Sequence, residues 1–373
     1  MQTKIIHEGA AKVYIYEGKL TKNDPVFFNP DMKFNRDISV ACLKVFKKMT
    51  PEKMIICDSL SGCGIRGIRY SLEVPKIEFA VLNDLNPKAF GIIKKNLSYN
   101  KVKNAAAENM DANVLLSMHK NKLNFIDIDP FGSPAMFLDC AGRAVRHGGF
   151  LGITATDLGP LAGTYPGTCL RRYGAKSLKT DIMHETGVRI LVGYIIRTLS
   201  KYDKGFMPLL CFSSRHYHRI FGTVRRSRSC ADKAVAKVGY LLYCRKCGMR
   251  QFSLSNKETC ACGAEFDYAG PLYTGNLFDR DFADKIEQTN PKVEKFIGII
   301  KEESIVDGML YDIHEICSRN KLDTVKRDYL VNCLRKRSYK ASGSVFGGFK
   351  IRTNAPINAI TESIRNHENL GQI

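Results

Sequence analysis

The sequence predicts an α/β fold, with an open, mostly parallel sheet in residues 1–228 and a mostly helical C-terminal domain in residues 229–373. Short apolar runs alternate with helical stretches from residue 54 onwards, as in sheets built from β–α–β units. An aspartate follows closely after four of these runs, where open α/β sheets bind their ligands. A chain of 373 residues is also long enough for two domains.

Local spacing predicts the individual elements. Residues 12–16 alternate like a short strand, and an aromatic loop leads to a helix with Asp37 as its N-cap and Lys47 as its end. The seven strands of the sheet are predicted at residues 54–57, 77–82, near 105, 123–126, 150–154, 207–212 and 217–224. Later elements are a lid-like loop at 157–182, helices at 187–201, 277–288, 293–303, 305–318 and 324–336, and a glycine-rich turn at 342–349.

A glycine-rich turn, Gly62-Cys63-Gly64-Ile65-Arg66-Gly67, follows the first buried strand. Gly62 and Gly64 permit a tight turn and a close approach of the backbone to a nucleoside ligand. Asp58 precedes this turn, in the place where methyltransferases position an acid toward the amine of a methionine group. Asp84 follows the second strand and is placed to accept ribose hydroxyls, while Asp111 follows the third and could accept an adenine amine.

The fourth strand ends in a turn at residues 129–132, Asp129-Pro130-Phe131-Gly132. The Asp129 carboxylate and the Pro130 carbonyl can each accept an N–H, and Phe131 offers a flat aromatic face. This set suits a planar ring that carries an exocyclic amine. The alternative is an ordinary strand-to-helix turn in which Asp129 only caps a helix.

Four of the thirteen cysteines cluster as Cys244, Cys247, Cys260 and Cys262, and the other nine are scattered singly. Two close thiolate pairs favour a tetrahedral structural zinc site in a module at about residues 240–273, over reduced and unliganded thiols. The cysteine usage is that of a reduced, cytoplasmic protein. We expect neither a signal peptide nor a membrane span, and nothing indicates an obligatory protein partner.

The formal charge of +20 favours a polyanionic partner. One basic stretch, without any acid, contains Arg215, Arg219, Arg225, Arg226 and Arg228. A second contains Arg319, Lys321, Lys326, Arg327, Arg335, Lys336, Arg337, Lys340, Lys350 and Arg352. Such clustering favours nucleic acid over a surface that is merely rich in lysine.

Three classes of function fit these features. The glycine-rich turn also matches the pattern of an NAD-dependent oxidoreductase. Asp58 and the 129–132 turn favour a methyltransferase, because an amine acceptor has no obvious role in hydride transfer. A non-catalytic RNA-binding protein would leave the aspartates at successive strand ends unexplained.

With these residues in place, the sequence resembles the archaeal and eukaryotic tRNA guanosine-26 N2-dimethyltransferases, which use S-adenosylmethionine. The resemblance runs from residues 27–30 and 35–37 through the 129–132 turn, residues 156–157 and 173–174, to the cysteine cluster. It implies the seven-stranded, Rossmann-like sheet of class I methyltransferases, and tRNA as the partner. It also implies Asp129 as the catalytic acceptor, Phe27 and Phe131 on either side of the guanine, and cofactor contacts from Arg36, Arg66, Asp84, Asp111 and Ala112.

Overall fold

The structure, a computed structural model, describes residues 3–17, 26–50, 52–287 and 290–370. Its first elements are the strands Thr3–Glu8 (β1) and Ala11–Tyr16 (β2), which form an antiparallel hairpin. The strand predicted at residues 12–16 is confirmed as β2, in which alternate residues are buried. Its partner β1 is mostly exposed, so its sequence lacks the alternation that would have predicted it.

A seven-stranded mixed sheet follows. Its strands are Met54–Asp58 (β3), Ile77–Asn83 (β4), Ala105–Glu108 (β5), Leu123–Ile128 (β6), Val145–Ala155 (β7), Lys204–Ser214 (β8) and Tyr217–Arg226 (β9). Their order is β5-β4-β3-β6-β7-β9-β8, and β9 alone runs in the direction opposite to the other six strands. Strand β6 is buried at every residue, as its continuous apolar run predicts. The predicted seven-stranded, Rossmann-like sheet is therefore confirmed.

The helices around this sheet are Lys33–Met49 (α1), Ile65–Glu73 (α2), Pro87–Tyr99 (α3), Ala112–Met118 (α4), Leu138–Ala144 (α5), Leu158–Leu161 (α6), Pro166–Tyr173 (α7), Met183–Ser200 (α8) and Arg228–Val235 (α9). Two 3-10 turns lie at Pro30–Met32 and Ala135–Phe137. The predicted lid-like loop at 157–182 is wrong in part, because it contains α6 and α7.

The predicted N-cap of the first long helix is also wrong. Asn29 caps the 3-10 turn at Pro30–Met32, and α1 continues directly from that turn. Asp37 therefore lies inside α1, where its carboxylate pairs with Lys33 at 2.8 Å and with Arg69 at 2.7 Å. Asp37 is therefore part of an ion-pair cluster and not the N-cap that its sequence position suggested.

The C-terminal part combines helices with two three-stranded antiparallel sheets. The first sheet has the order β11-β10-β12, from Val238–Tyr243 (β10), Arg250–Ser253 (β11) and Asp267–Tyr273 (β12). The second has the order β13-β15-β14, from Met309–Asp312 (β13), Ala341–Ser344 (β14) and Gly347–Thr353 (β15). The helices are Arg280–Asp284 (α10), Pro291–Glu303 (α11), Ile313–Asn320 (α12), Arg327–Lys336 (α13) and Ile357–Leu370 (α14).

Three predictions in this part need correction. The helix expected at 305–318 is wrong, because strand β13 precedes the short helix α12. The glycine-rich turn at 342–349 is the β14–β15 hairpin, which adds two strands. The helix expected at 277–288 is only the five-residue α10, and residue 288 lies outside the described residues.

The buried apolar core includes residues from both halves of the predicted division. The rings of Phe212 in β8 and Phe296 in α11, for example, contact each other with centroids 4.9 Å apart. The domain division at residue 228 stays a prediction. In the described part of the chain, no helix has both the length and the apolar character that a membrane crossing requires.

Candidate active site

A cavity of about 570 Å³ lies at the carboxyl ends of β3, β4 and β6. Open α/β sheets bind their ligands at this edge, near the point where the strand order reverses. The cavity is lined by most of the residues that the sequence singled out: Phe27, Arg36, Asp58, Gly62, Arg66, Asp84, Asp129, Pro130 and Phe131. The fold therefore brings the predicted cofactor residues and the predicted substrate residues into one space.

The wall nearest β3 and β4 is shaped by a backbone turn. Gly62 has a φ of +55°, and a Cβ there would lie 2.9 Å from the carbonyl oxygen of Phe27, so no side chain fits. The Gly62 N–H donates to Asp84 Oδ2 at 2.9 Å, and the Asn86 N–H donates to Asp84 Oδ1 at 2.9 Å. Burial raises the pKa of Asp84, although both N–H groups oppose the shift. Gly64 precedes α2 with a φ of +81° and is not part of the lining found for the described residues.

Asp58 is buried at the end of β3 and has one unused oxygen. Its Oδ2 accepts the Gly67 N–H at 3.1 Å, whereas its Oδ1 has no hydrogen-bond partner among the described residues. Burial, followed by the negative charge of Asp127, raises the pKa of Asp58 to about 7. A buried oxygen without a partner is costly, and a cationic ligand would satisfy it.

The 129–132 turn is tied to the neighbouring strand and to α2. The Gly132 N–H donates to Thr156 Oγ1 at 2.7 Å, and the Thr156 N–H donates to the Gly132 carbonyl at 2.9 Å. Arg66 Nη2 donates to Asp129 Oδ2. Asp129 Oδ1 accepts no hydrogen bond from the described residues, so one carboxylate oxygen is left for a ligand.

The two aromatic residues of the site touch each other. The ring centroids of Phe27 and Phe131 lie 4.3 Å apart with the planes at 74°, an edge-to-face contact. A base stacked on both rings needs about twice the ~3.5 Å distance of a carbon–carbon contact between them. The rings must therefore separate before a base can enter. Phe131 is 61% exposed and Phe27 is 37% exposed, so neither is fixed in a tightly packed core.

Three predicted cofactor residues have other roles in this structure. Arg36 lines the cavity, but its Nε and Nη2 both donate to the Glu8 carboxylate at 2.6 Å. Asp111 caps α4, where its carboxylate accepts the N–H of Asn113 at 2.8 Å, and Ala112 is buried behind it. Neither Asp111 nor Ala112 lines the cavity in the part of the chain that the structure describes.

Thr156 and His216 are among the cavity residues that the sequence analysis did not assign to the site, although Thr156 belongs to the family resemblance. Thr156 follows β7, as the aspartates follow the other strands, so its position at a strand end could have identified it. His216 lies in the turn between β8 and β9 and carries no comparable signal. Only the antiparallel pairing of β7 with β9 brings that turn to the cavity.

Three of the expected basic surface residues, Arg219, Lys350 and Arg352, are buried instead. Arg219, assigned to the first basic stretch, is fully buried and pairs with Asp127 at 2.6 Å. Arg352, assigned to the second, is buried against Glu185 at 2.8 Å and Glu303 at 2.9 Å. Neither guanidinium can reach an external polyanion. In the first stretch, Arg215, Arg225, Arg226 and Arg228 remain exposed.

The four clustered cysteines meet beyond the end of β10. Their Sγ atoms all lie within 4.8 Å of one another, and two pairs, Cys244–Cys262 and Cys247–Cys260, are 3.5 Å apart. A tetrahedral zinc ion with Zn–S bonds of about 2.3 Å places its sulfurs ~3.8 Å apart. The residues present therefore fit such an ion.

Comparisons with known proteins agree with this geometry. The model of a family described as N2,N2-dimethylguanosine tRNA methyltransferase matches residues 2–365. A tRNA (guanine(26)-N(2))-dimethyltransferase from Methanosphaera stadtmanae is 37% identical, with 98% of this chain and 97% of the relative covered. A tRNA (guanine(26)-N(2)/guanine(27)-N(2))-dimethyltransferase from Aquifex aeolicus is 35% identical over 86% of each chain. The structure of Trm1 from Pyrococcus horikoshii with S-adenosyl-L-methionine is 34% identical and superposes with a TM-score of 0.87, covering 97% of this chain and 99% of that chain.

Proposed function

The chain belongs to the N2,N2-dimethylguanosine tRNA methyltransferase family, and on that premise we propose that it dimethylates the exocyclic N2 of guanosine 26 in tRNA, using S-adenosylmethionine. The observation that carries the proposal is a single cavity, lined on one side by Asp58, Gly62 and Asp84 and on the other by Asp129 and Phe131. The first group suits a nucleoside with an amino-acid tail, and the second suits a planar base with an amine.

The β3–β4 side of the cavity would hold the cofactor. The unpartnered Oδ1 of Asp58 can accept the methionine ammonium, and the carboxylate of Asp84 can accept ribose hydroxyls. The absence of a side chain at Gly62 lets the Phe27 carbonyl pack against this turn and complete the wall of the cavity. When bound, S-adenosylmethionine supplies an electrophilic methyl group on a sulfonium. Arg36, Arg66, Asp111 and Ala112 remain predicted contacts from the resemblance alone.

The β6 side of the cavity would hold the guanine amine. The N2 lone pair is delocalised into the purine ring, so the amine is a poor nucleophile. The Asp129 carboxylate and the Pro130 carbonyl would accept its two N–H bonds and leave the lone pair facing the methyl donor. The negative charge of Asp129 would also stabilise the positive charge that develops on N2 during transfer. Alignment of the reacting atoms would supply much of the remaining acceleration.

The target base must leave its helix to reach this site, because a paired helix buries guanine N2 in the minor groove. Phe27 and Phe131 would part and stack on the flipped guanine, each contributing roughly 1–3 kcal/mol.

Two exposed arginines lie beside the same edge of the sheet. Arg172 pairs with Asp157 after β7, and Arg215 lies next to the cavity residue His216. Both are suited to phosphates that flank the flipped base.

The remaining parts of the chain would serve the same reaction. We assign methyl transfer to residues 1–228 and tRNA binding to residues 229–373. A structural zinc ion would be bound by Cys244, Cys247, Cys260 and Cys262. A closed four-sulfur site leaves no open position for catalysis. Because tRNA is the substrate, we expect the protein to act in the cytoplasm.

The direct test uses purified protein, labelled S-adenosylmethionine and a tRNA transcript with guanosine at position 26. Digestion should release labelled N2,N2-dimethylguanosine, and a transcript with adenosine at that position should take up no label. A transcript with guanosine only at position 27 tests the second position named for the Aquifex aeolicus relative. Label in another nucleoside, or label that persists in a transcript with neither guanosine 26 nor guanosine 27, would contradict the proposal. A tRNA that already carries N2-methylguanosine 26 should also be converted to the dimethyl product.

A further inference from the structure

Asp129 does not stand alone in the cavity wall, since one of its oxygens is held by a guanidinium. We propose that Arg66 is a positioning residue for Asp129, and that the buried Asp127–Arg219 pair fixes Arg66 in turn, an inference that rests on the proposed function. Arg66 would bind Oδ2 of Asp129 and so turn Oδ1 toward the guanine amine. This role is additional to the cofactor contact that the resemblance implies for Arg66.

The contacts of Arg66 leave its guanidinium little freedom. Nη2 donates to Asp129 Oδ2, while Nη1 donates to Asn35 Oδ1 at 3.0 Å and to Ser39 Oγ at 2.9 Å. Nη1 also lies 3.8 Å from Asp127 Oδ2. Because both ends of the planar fork are engaged, rotation of the guanidinium would break several hydrogen bonds at once.

Asp127, which lies behind Arg66 as seen from the cavity, is also held by several hydrogen bonds. Asp127 is fully buried, and its two oxygens accept hydrogen bonds from Arg219 at 2.9 and 2.6 Å and from the Tyr70 hydroxyl at 2.5 Å. Arg219 Nη2 also donates to Ser39 Oγ at 3.0 Å. The Ser39 hydroxyl thus accepts from both guanidiniums and joins them.

The backbone explains why an aspartate of β6 and one just beyond its end share this assembly. Asp127 lies in β6 and Asp129 follows two residues later, and alternate residues of an extended chain point to the same face of a sheet. Two guanidiniums, those of Arg66 and Arg219, neutralise these two carboxylates. Buried ion pairs seldom repay their desolvation, so stability alone is a weak reason for such a set. A functional reason for these ion pairs is that they orient the Asp129 carboxylate toward the substrate.

Ser39→Ala tests the inference without touching the cavity, because Ser39 is not part of the lining found for the described residues. The substitution removes the acceptor shared by Arg66 and Arg219. The matched control is Ser71→Ala, whose hydroxyl donates to the Gly67 carbonyl one helical turn earlier, as the Ser39 hydroxyl donates to the Asn35 carbonyl. Arg66→Lys is the second variant, since it keeps the charge but loses the fork.

The measurements are the dissociation constant of S-adenosylmethionine by calorimetry and the single-turnover rate of methyl transfer with cofactor and tRNA both saturating. We expect the rate to fall at least about fivefold in Ser39→Ala, with cofactor affinity within about threefold of wild type. In Arg66→Lys we expect a fall of at least about tenfold that persists at saturating cofactor, whatever happens to cofactor affinity. Ser71→Ala should match wild type in both readouts.

An unchanged rate in Ser39→Ala would overturn the inference, and so would a loss that follows weaker cofactor binding and disappears at saturation. If Arg66→Lys fails to fold, Ser39→Ala decides alone. Wild-type protein that leaves guanosine 26 unmethylated would instead refute the proposed function, so the two failures are distinguishable.

Discussion

At the scale of single residues, Asp58 should make cofactor binding depend on pH. The pKa of Asp58 in the folded protein is about 7, above the ordinary value of 3.8. Below about pH 7 the carboxyl of the unliganded protein is therefore neutral, which is the form that burial favours. A bound ammonium needs the ionised form. Affinity for S-adenosylmethionine should therefore fall as the pH decreases through this range.

We expect the dissociation constant to be about eightfold higher at about pH 6 than at about pH 7.5, which calorimetry can measure. Asp58→Asn should bind weakly at both values and lose the dependence. Asp279→Asn is the control, because that N-cap does not line the described cavity and Asn also caps helices. An equal pH dependence in Asp58→Asn and wild type would remove Asp58 from the site.

Phe27→Ala should slow methyl transfer through lost stacking on the flipped guanine. Stacking of roughly 1–3 kcal/mol corresponds to a fall in kcat/KM for tRNA of about 5- to 150-fold. Phe27→Tyr should keep most of the rate, because it retains an aromatic face. Phe79→Ala, which removes a 38% exposed ring outside the cavity, should have no effect. A rate within twofold of wild type in Phe27→Ala would argue that Phe27 does not contact the base.

At the scale of elements, the cysteine module is built from two similar turns. The Gly248 N–H donates to the Cys244 carbonyl at 2.9 Å, and the Gly263 N–H donates to the Cys260 carbonyl at 2.8 Å. Both glycines have positive φ, +77° and +81°, which few other residues adopt. Arg250 in β11 then joins the module to Asp181, just before α8, at 2.7 Å.

Purified protein should contain about one zinc ion per chain by elemental analysis, because four thiolates at this spacing form one closed site. Cys260→Ser should lose the metal and lower the melting temperature, since binding of the ion contributes to folding. Cys230→Ser, a free cysteine in α9, is the control and should keep both. Freshly reduced wild-type protein without metal would contradict the zinc assignment.

At the scale of the whole molecule, the parts that depend on short-range pattern were predictable and the long-range pairings were not. The buried runs and the glycine turn identified the strands and Asp58, Asp84 and Asp129 from their own neighbourhoods. Arg219 was misassigned to a basic surface because its partner Asp127 lies 92 residues away. Strand β13 was read as helix because its partner is β15, which follows much later in the chain. Contacts between segments that are distant in sequence determine the burial of Arg219 and the strand conformation of β13.

The central claim concerns the whole cavity: the cofactor side and the amine side meet at Asp129. Asp129→Asn keeps the shape of the side chain and removes its charge, so it separates catalysis from binding. The decisive measurement is the single-turnover rate of methyl transfer to guanosine 26, taken together with the dissociation constant of S-adenosylmethionine. We predict a rate loss of at least about 100-fold with cofactor affinity near that of wild type. A rate within about tenfold of wild type would show that Asp129 does not stabilise the reacting amine.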